Sequence, residues 1–280
     1  MTERSVLIRV PATVGNFGGG ADGAALALDA SLNARASTRR DGRISIRYFG
    51  ENGERVPRDP SNLAVRAMQA ALEAKGVPFA GVELEMYGSA PVGVGLGSST
   101  AAVWAGLLAA DRLYRLDFEE KALLELAGTL EPRGDNLRAA WLGGFVARFE
   151  EGASRVYRST AVPEDLVLRV VIPETHHPAN GAVEKSVPGL EEALQVRTPG
   201  LQAVFLCGSG PSIGILARGE AGESAVKAVT DSLAFHGLSS TLAEFRPASV
   251  GARDANVGGT EVRLAAVVGL DMPEQPALPV

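Results

Sequence analysis

The chain's 280 residues suffice for one large or two modest domains, and a composition 46% hydrophobic and 21% charged is too apolar and too evenly mixed for a disordered chain. Basic residues number 27 against 33 acidic, a net charge of −6 with no basic cluster, so neither a nucleic-acid groove nor an anionic membrane has electrostatic support as a partner. The single cysteine, Cys207, has no internal disulfide partner, Met1–Val10 lacks the apolar stretch and cleavage site of an export signal, and the cytoplasm is the expected location.

Alternating apolar residues predict strands over Ser5–Val10 and at Ile44, Ile46 and Tyr48. A helix follows over Ser61–Lys75, with Leu63, Met68 and Leu72 along one side and Gly76 suited to a left-handed C-terminal cap. Val82, Leu84 and Met86 mark the next strand. Ser98–Leu113 is apolar on nearly every side, as befits a buried central helix, and its core run Ala101–Ala110 is too short to cross a bilayer. Asp117 with Glu120 reads as a capping-box start for a helix carrying Phe118, Ala122, Leu126 and Leu130. Past Gly143-Gly144, Phe145, Ala147 and Phe149 alternate, and strands are expected at Leu166–Ile172, Ala203–Cys207 and Val262–Leu270, with an amphipathic helix over Glu220–His236. This order fits an α+β fold of mainly antiparallel sheets packed with helices, divided into domains 1–150 and 151–271 and ending in a mobile tail, 272–280.

The segment Pro91-Val92-Gly93-Val94-Gly95-Leu96-Gly97-Ser98-Ser99-Thr100-Ala101 lies between a strand and the central helix. Its glycines let backbone approach a ligand closely, and the helix start offers unpaired N–H groups and a positive dipole end, together an anion cradle. Ser98 and Ser99 add hydroxyls able to cap the helix, bind phosphate or ligate Mg²⁺. Taken alone, the run is equally compatible with a flexible loop and a serine cap. It matches neither a Rossmann fingerprint, whose spacing differs, nor a Walker A loop, since the chain contains no Gly-Lys dipeptide. His176-His177-Pro178 lacks a nearby third ligand and is not read as a metal site.

With Pro11–Asp22 near the start and Gly208-Ser209-Gly210-Pro211-Ser212 near the end, this segment resembles the three ordered motifs of the GHMP small-molecule kinases, most closely the homoserine kinase branch. Glu131-Pro132-Arg133-Gly134-Asp135-Asn136, followed by Leu142-Gly143-Gly144, is similar to that family's Glu-Gly-His-Pro-Asp-Asn and Gly-Gly segments. The resemblance implies a two-domain GHMP-kinase-like fold and an ATP- and Mg²⁺-dependent transfer of phosphate to the side-chain hydroxyl of homoserine, on the route to threonine. It implies that Pro91, Gly93, Gly95, Leu96, Gly97, Ser98 and Ser99, together with Asn62, Gly208, Ser209 and Gly210, bind the nucleotide, and that Ser99 and Glu131 hold Mg²⁺. It places Asn16 and Asp22 at the polar end of a small amino-alcohol substrate and Asn136 at the reacting hydroxyl, with Asp135 the nearest candidate base. Family members often form homodimers, which is the expectation here. Bland alternatives stand beside these roles: Asp22 as the cap of a helix beginning near Gly23, Asn136 as a turn residue, and Glu131 as a solvated helix-end carboxylate.

The chain also departs from the family pattern. Val14-Gly15 stands where a Ser-Ala pair is usual, and Gly19 and Ala21 replace proline and phenylalanine. The stretch between Pro173 and Gly208 is shorter than its counterpart, which in the family carries arginines that grip the substrate carboxylate. Either Val183–Pro188 aligns there, with Glu184 at an arginine position, or Pro188–Leu194 matches a later segment and the arginine-bearing part is missing. Lys185, Arg197 and Arg253 are then the candidates to meet a carboxylate. A kinase for another small alcohol and a non-catalytic nucleotide-binding relative are the alternative readings.

Overall fold

The computed structural model describes residues 4–17, 23–151, 154–174 and 187–255. Asp22, His176, His177, Lys185, the expected strand at Val262–Leu270 and the tail 272–280 lie outside them. A seven-stranded sheet holds β1 (Ser5–Gly15), β2 (Ala24–Thr38), β3 (Ile44–Phe49), β4 (Val82–Gly88), β5 (Phe145–Glu151), β6 (Ser154–Thr160) and β11 (Arg253–Asp254). Its main path runs β11-β1-β2-β4-β3, antiparallel except for β3 beside β4, and β5 pairs with both β2 and β6. The expected boundary at 150/151 falls inside the β5–β6 hairpin, so residues 154–160 belong to this first sheet.

Strand β2 spans 15 residues and organises the sheet: Leu32–Thr38 pair with β4, while Ala24–Leu26 pair with β5. It starts where a helix after Gly23 was conceivable. Its six alanines favour helix by propensity, yet both faces are buried against neighbours, and that packing decides the strand.

One face of the sheet carries α1 (Leu63–Ala74), α2 (Ser98–Tyr114), α3 (Glu120–Leu130) and α4 (Gly134–Leu142) over a core including Trp104, Met68, Leu72, Leu84 and Leu107. The helices α1 and α2 pack closely at Gly106, where an added Cβ would stand 2.1 Å from the Ala64 carbonyl oxygen. Buried Trp104 donates from Nε1 to the Leu137 carbonyl oxygen at 2.9 Å and stacks on Trp141, tying α2 to α4. Asp117 does not cap α3 as the capping-box pattern predicted. Its φ of 49° is left-handed, α3 begins at Glu120 without a side-chain cap, and buried Asp111 holds the turn by accepting from the Phe118 N–H at 3.1 Å.

The second sheet, in order β10-β7-β9-β8, is antiparallel throughout: β7 (Leu166–Pro173), β8 (Leu201–Leu206), β9 (Ile213–Arg218) and β10 (Ser240–Phe245). Val171, Ile213 and Ile215 face α5 (Leu190–Leu194) and α6 (Glu223–Phe235). From the same sheet, Leu168, Val170, Phe205 and Phe245 meet Val14, Leu26 and Leu28 of the first sheet. Val94 and Leu96 are buried in that shared core, which anchors the glycine-rich loop where the two sheets meet.

Candidate active site

Gly93, Gly95 and Gly97 have φ of 77°, 90° and 71°, a left-handed run that side-chain-bearing residues rarely adopt. The loop also has no room for side chains. A Cβ on Gly95 would stand 1.9 Å from the Cys207 carbonyl oxygen, and one on Gly97 would stand 2.2 Å from Thr13 Oγ1. Thr13 also donates its N–H to the Leu96 carbonyl oxygen (3.2 Å), and Gly208 donates to that of Gly15 (3.4 Å). Three segments far apart in sequence therefore touch around one loop, while Ser209 is exposed at the tip of the third.

Gly97 is the N-cap of α2, so no side chain caps this helix. The first N–H groups of a helix have no partner within it, and with a glycine cap they remain available to an anion. Buried Thr13 Oγ1 and Thr100 Oγ1 have no partner among the described residues either. In the first turn, Ser99 Oγ donates to Glu131 Oε2 at 2.5 Å. Glu131, at the C-terminal end of α3, is only 6% exposed, and its Oε1 accepts the Arg133 N–H at 3.3 Å. The solvated-carboxylate reading of Glu131 is thereby overturned.

Beside the loop opens a cavity of about 440 Å³ whose wall includes Tyr48, Arg55, Asn62, Met86, Ser98 and Ser99. That size suits the non-phosphate part of a nucleotide. Asn62 lines it while both ends of its amide are spent: Oδ1 caps α1 at the Ala64 N–H (3.0 Å), and Nδ2 donates to the Pro57 carbonyl oxygen (2.8 Å). Burial raises the pKa of the Tyr48 phenol, with Arg58 opposing, so the group stays neutral. Sequence reasoning missed Tyr48, Arg55 and Thr13 as site residues; Tyr48 read only as one step of a strand alternation.

On the other side of the loop, Asn16 holds a φ of 73° and donates from Nδ2 to the Leu206 carbonyl oxygen at 3.4 Å. Asn136, buried in the first turn of α4, is not a turn residue. Among the described residues its Oδ1 has no partner, and it would lie 3.0 Å from a Cβ on Gly15, which explains why glycine stands there. Asp135 occupies the same helical turn. Arg148 backs onto Gly23, its N–H donating to the Gly23 carbonyl oxygen, and Arg138 lies 3.7 Å over the Tyr157 ring. Arg197 is turned elsewhere, donating to the Leu194 and Val196 carbonyl oxygens, and Arg253 lines a separate cavity with Arg9 and Asp29.

The donor set fits a small hard cation. A hydroxyl and a carboxylate, both oxygen ligands, meet beside an anion cradle, and Mg²⁺ characteristically takes one or two protein ligands and completes its shell with phosphate and water. Among the described residues no cluster of three or more acidic, histidine or cysteine ligands competes, and no helix is long and apolar enough to cross a membrane.

Comparison with known proteins bears on the same residues. The family described as GHMP kinases N terminal domain matches residues 62–144, which include the loop, Ser99, Glu131 and Asn136. The chain is 37% identical over 201 residues to the homoserine kinase of Streptomyces coelicolor, aligning 68% of this chain and spanning 63% of the relative's length. It is 34% identical over 218 residues to that of Rhodococcus erythropolis, aligning 72% of this chain and 69% of the relative. The crystal structure of homoserine kinase from Cytophaga hutchinsonii superposes with a TM-score of 0.66 at 23% identity, covering 89% of this chain and 97% of that one.

Proposed function

The chain belongs to the GHMP kinases, in the homoserine kinase family, and from that membership we propose that it transfers the γ-phosphate of ATP to the side-chain hydroxyl of L-homoserine in threonine biosynthesis. The observation that carries the reading is the uncapped start of α2 with the Ser99–Glu131 pair in its first turn, opening onto the 440 Å³ cavity.

In this reading the cavity takes the nucleoside, and the main-chain N–H groups at Ser98–Thr100 take the phosphates along the left-handed glycines. Ser99 and Glu131 are the residues that would hold Mg²⁺, which when bound neutralises phosphate charge. Asn136 Oδ1, buried and without a partner, accepts the hydrogen bond of the acceptor hydroxyl and aims its oxygen. An amide orients a hydroxyl without taking its proton, so transfer here rests on positioning and charge stabilisation. The hydroxyl oxygen bonds to the γ-phosphorus as the bond to the β–γ bridging oxygen breaks. ADP leaves with that electron pair, and the hydroxyl proton passes to solvent. Asn16 and Asp22 are assigned to the substrate's amino end, and Arg148, whose Nε would stand 4.0 Å from a Cβ on Gly23, lies just past the first motif. A cytoplasmic location and a homodimer belong to the same proposal.

A second reading, another small alcohol as acceptor, is favoured by one observation: of the three candidates to meet a carboxylate, Arg197 is spent on the Leu194 and Val196 carbonyl oxygens and Arg253 lines a separate cavity, Lys185 lying outside the described residues. ADP release from Mg-ATP with homoserine, beside a panel of mevalonate, galactose and related alcohols, decides between them. Homoserine is expected to give the highest kcat/KM. No ADP with any alcohol, despite ATP binding, would overturn the kinase reading in favour of a non-catalytic nucleotide-binding relative.

A further inference from the structure

Arg133 sits two positions beyond Glu131, at the N-cap of α4, and is half-buried. Its N–H bond to Glu131 Oε1 fixes its backbone beside the candidate metal ligand. Its side chain turns toward the third motif: a Cβ on Gly208 would stand 3.1 Å from Arg133 Nη1 and 3.1 Å from the Gly95 carbonyl oxygen. One glycine-sized gap thus separates the guanidinium from the phosphate loop.

Among the described residues this cation has no partner. It makes no side-chain hydrogen bond, ion pair or ring contact with any described residue, whereas Arg138 lies on Tyr157 and Arg55 faces Glu54. Even the carboxylate beside it is engaged with Ser99 and with the Arg133 main chain. A half-buried guanidinium carries five N–H donors and a permanent charge, and leaving them unpaired costs free energy that an arriving anion recovers. The anion the loop is built to receive is a phosphate chain.

We propose that Arg133 is a catalytic residue whose guanidinium binds the γ-phosphoryl group of the nucleoside triphosphate and stabilises it during transfer; this rests on the kinase reading above. As the acceptor oxygen–phosphorus bond forms and the bond to the β–γ bridging oxygen breaks, the planar fork donates to phosphoryl oxygens and stays protonated throughout. ADP, lacking the γ-phosphate, has no use for it.

The test measures binding of Mg-bound β,γ-imido-ATP and of Mg-bound ADP to the full chain, to Arg133→Gln and to Arg133→Lys, with kcat and KM alongside. Arg133→Gln is expected to weaken the triphosphate analogue at least ten-fold, leave ADP within two-fold, and lower kcat about 100-fold. Arg133→Lys, which keeps the charge but not the fork, recovers part of both and serves as the comparison should the glutamine variant fold poorly. Equal losses for both nucleotides, a loss confined to the KM of the alcohol, or no change would overturn the assignment. Failure of the kinase reading is told apart by the parent chain, which would bind the analogue yet transfer phosphate to no alcohol.

Discussion

Ser99 and Glu131 lie 32 residues apart and meet through one hydrogen bond, so each variant separates a different property. Glu131→Gln keeps shape and removes charge: half-saturating Mg²⁺ is expected to rise ten-fold or more, with kcat falling about 100-fold, both read from ADP release against a Mg²⁺ series. Ser99→Ala removes one candidate ligand and leaves the helix start intact, so turnover is expected to fall while the unfolding midpoint stays close to the parent's. Cys207 supplies a contrast. Full burial pushes its thiol pKa far up, and thiol reagents at pH 8 are expected to modify it only after denaturation. Because the folded value is the raised one, this residue's contribution to stability is whole below about pH 8.5 and shrinks as pH climbs above it. Ser99, Glu131 and Asn136 were legible because their residue types sit in motifs of fixed spacing. Arg133 lay inside such a motif and still went unread, since the absence of a partner is a property of space and not of order along the chain.

At the scale of elements, the central helix was legible throughout, and what the sequence left open was whether a serine caps its first turn; Gly97 is the N-cap and no side chain does. Gly97 must be left-handed and must leave room for Thr13, so Gly97→Ala incurs both backbone strain and a clash. A loss of roughly 2–4 kcal/mol in unfolding free energy is expected, with nucleotide affinity falling in step. Trp104→Ala is expected to lose about 3–5 kcal/mol by denaturant titration, because it empties the space between α2 and α4 and removes the indole hydrogen bond to the Leu137 carbonyl oxygen. Strand β2 escaped the pattern analysis because burial on both faces erases alternation, and its alanines carry little strand signature. Asp117 misled for a different reason: α3 starts at Glu120 with Glu119 as its N-cap, so Asp117, left-handed at φ 49°, lies two residues short of the capping position.

At the scale of the molecule, the mix of helices and antiparallel sheets was legible from the run of elements, and the way the chain returns was not. After β10, residues 246–255 come back to the first sheet. Leu28 bridges to Pro247, Ala248 donates to the Ala27 carbonyl oxygen, Ala252 donates to that of Ala140, and Ala255 donates to that of Leu7. No hydrophobic periodicity announces such a strap, since its contribution is main-chain pairing and close approach, as at Gly251 against the Trp141 carbonyl oxygen. A chain stopped after Phe245 is therefore expected to unfold at least 5 °C below one stopped after Ala255, with faster amide exchange in β1. The strap also dictates a timetable. During synthesis the edge of β1 that β11 covers stays unpaired while more than two hundred residues between the two strands are made, so that pairing follows the rest of the first sheet and leaves a β edge open to other strands until then.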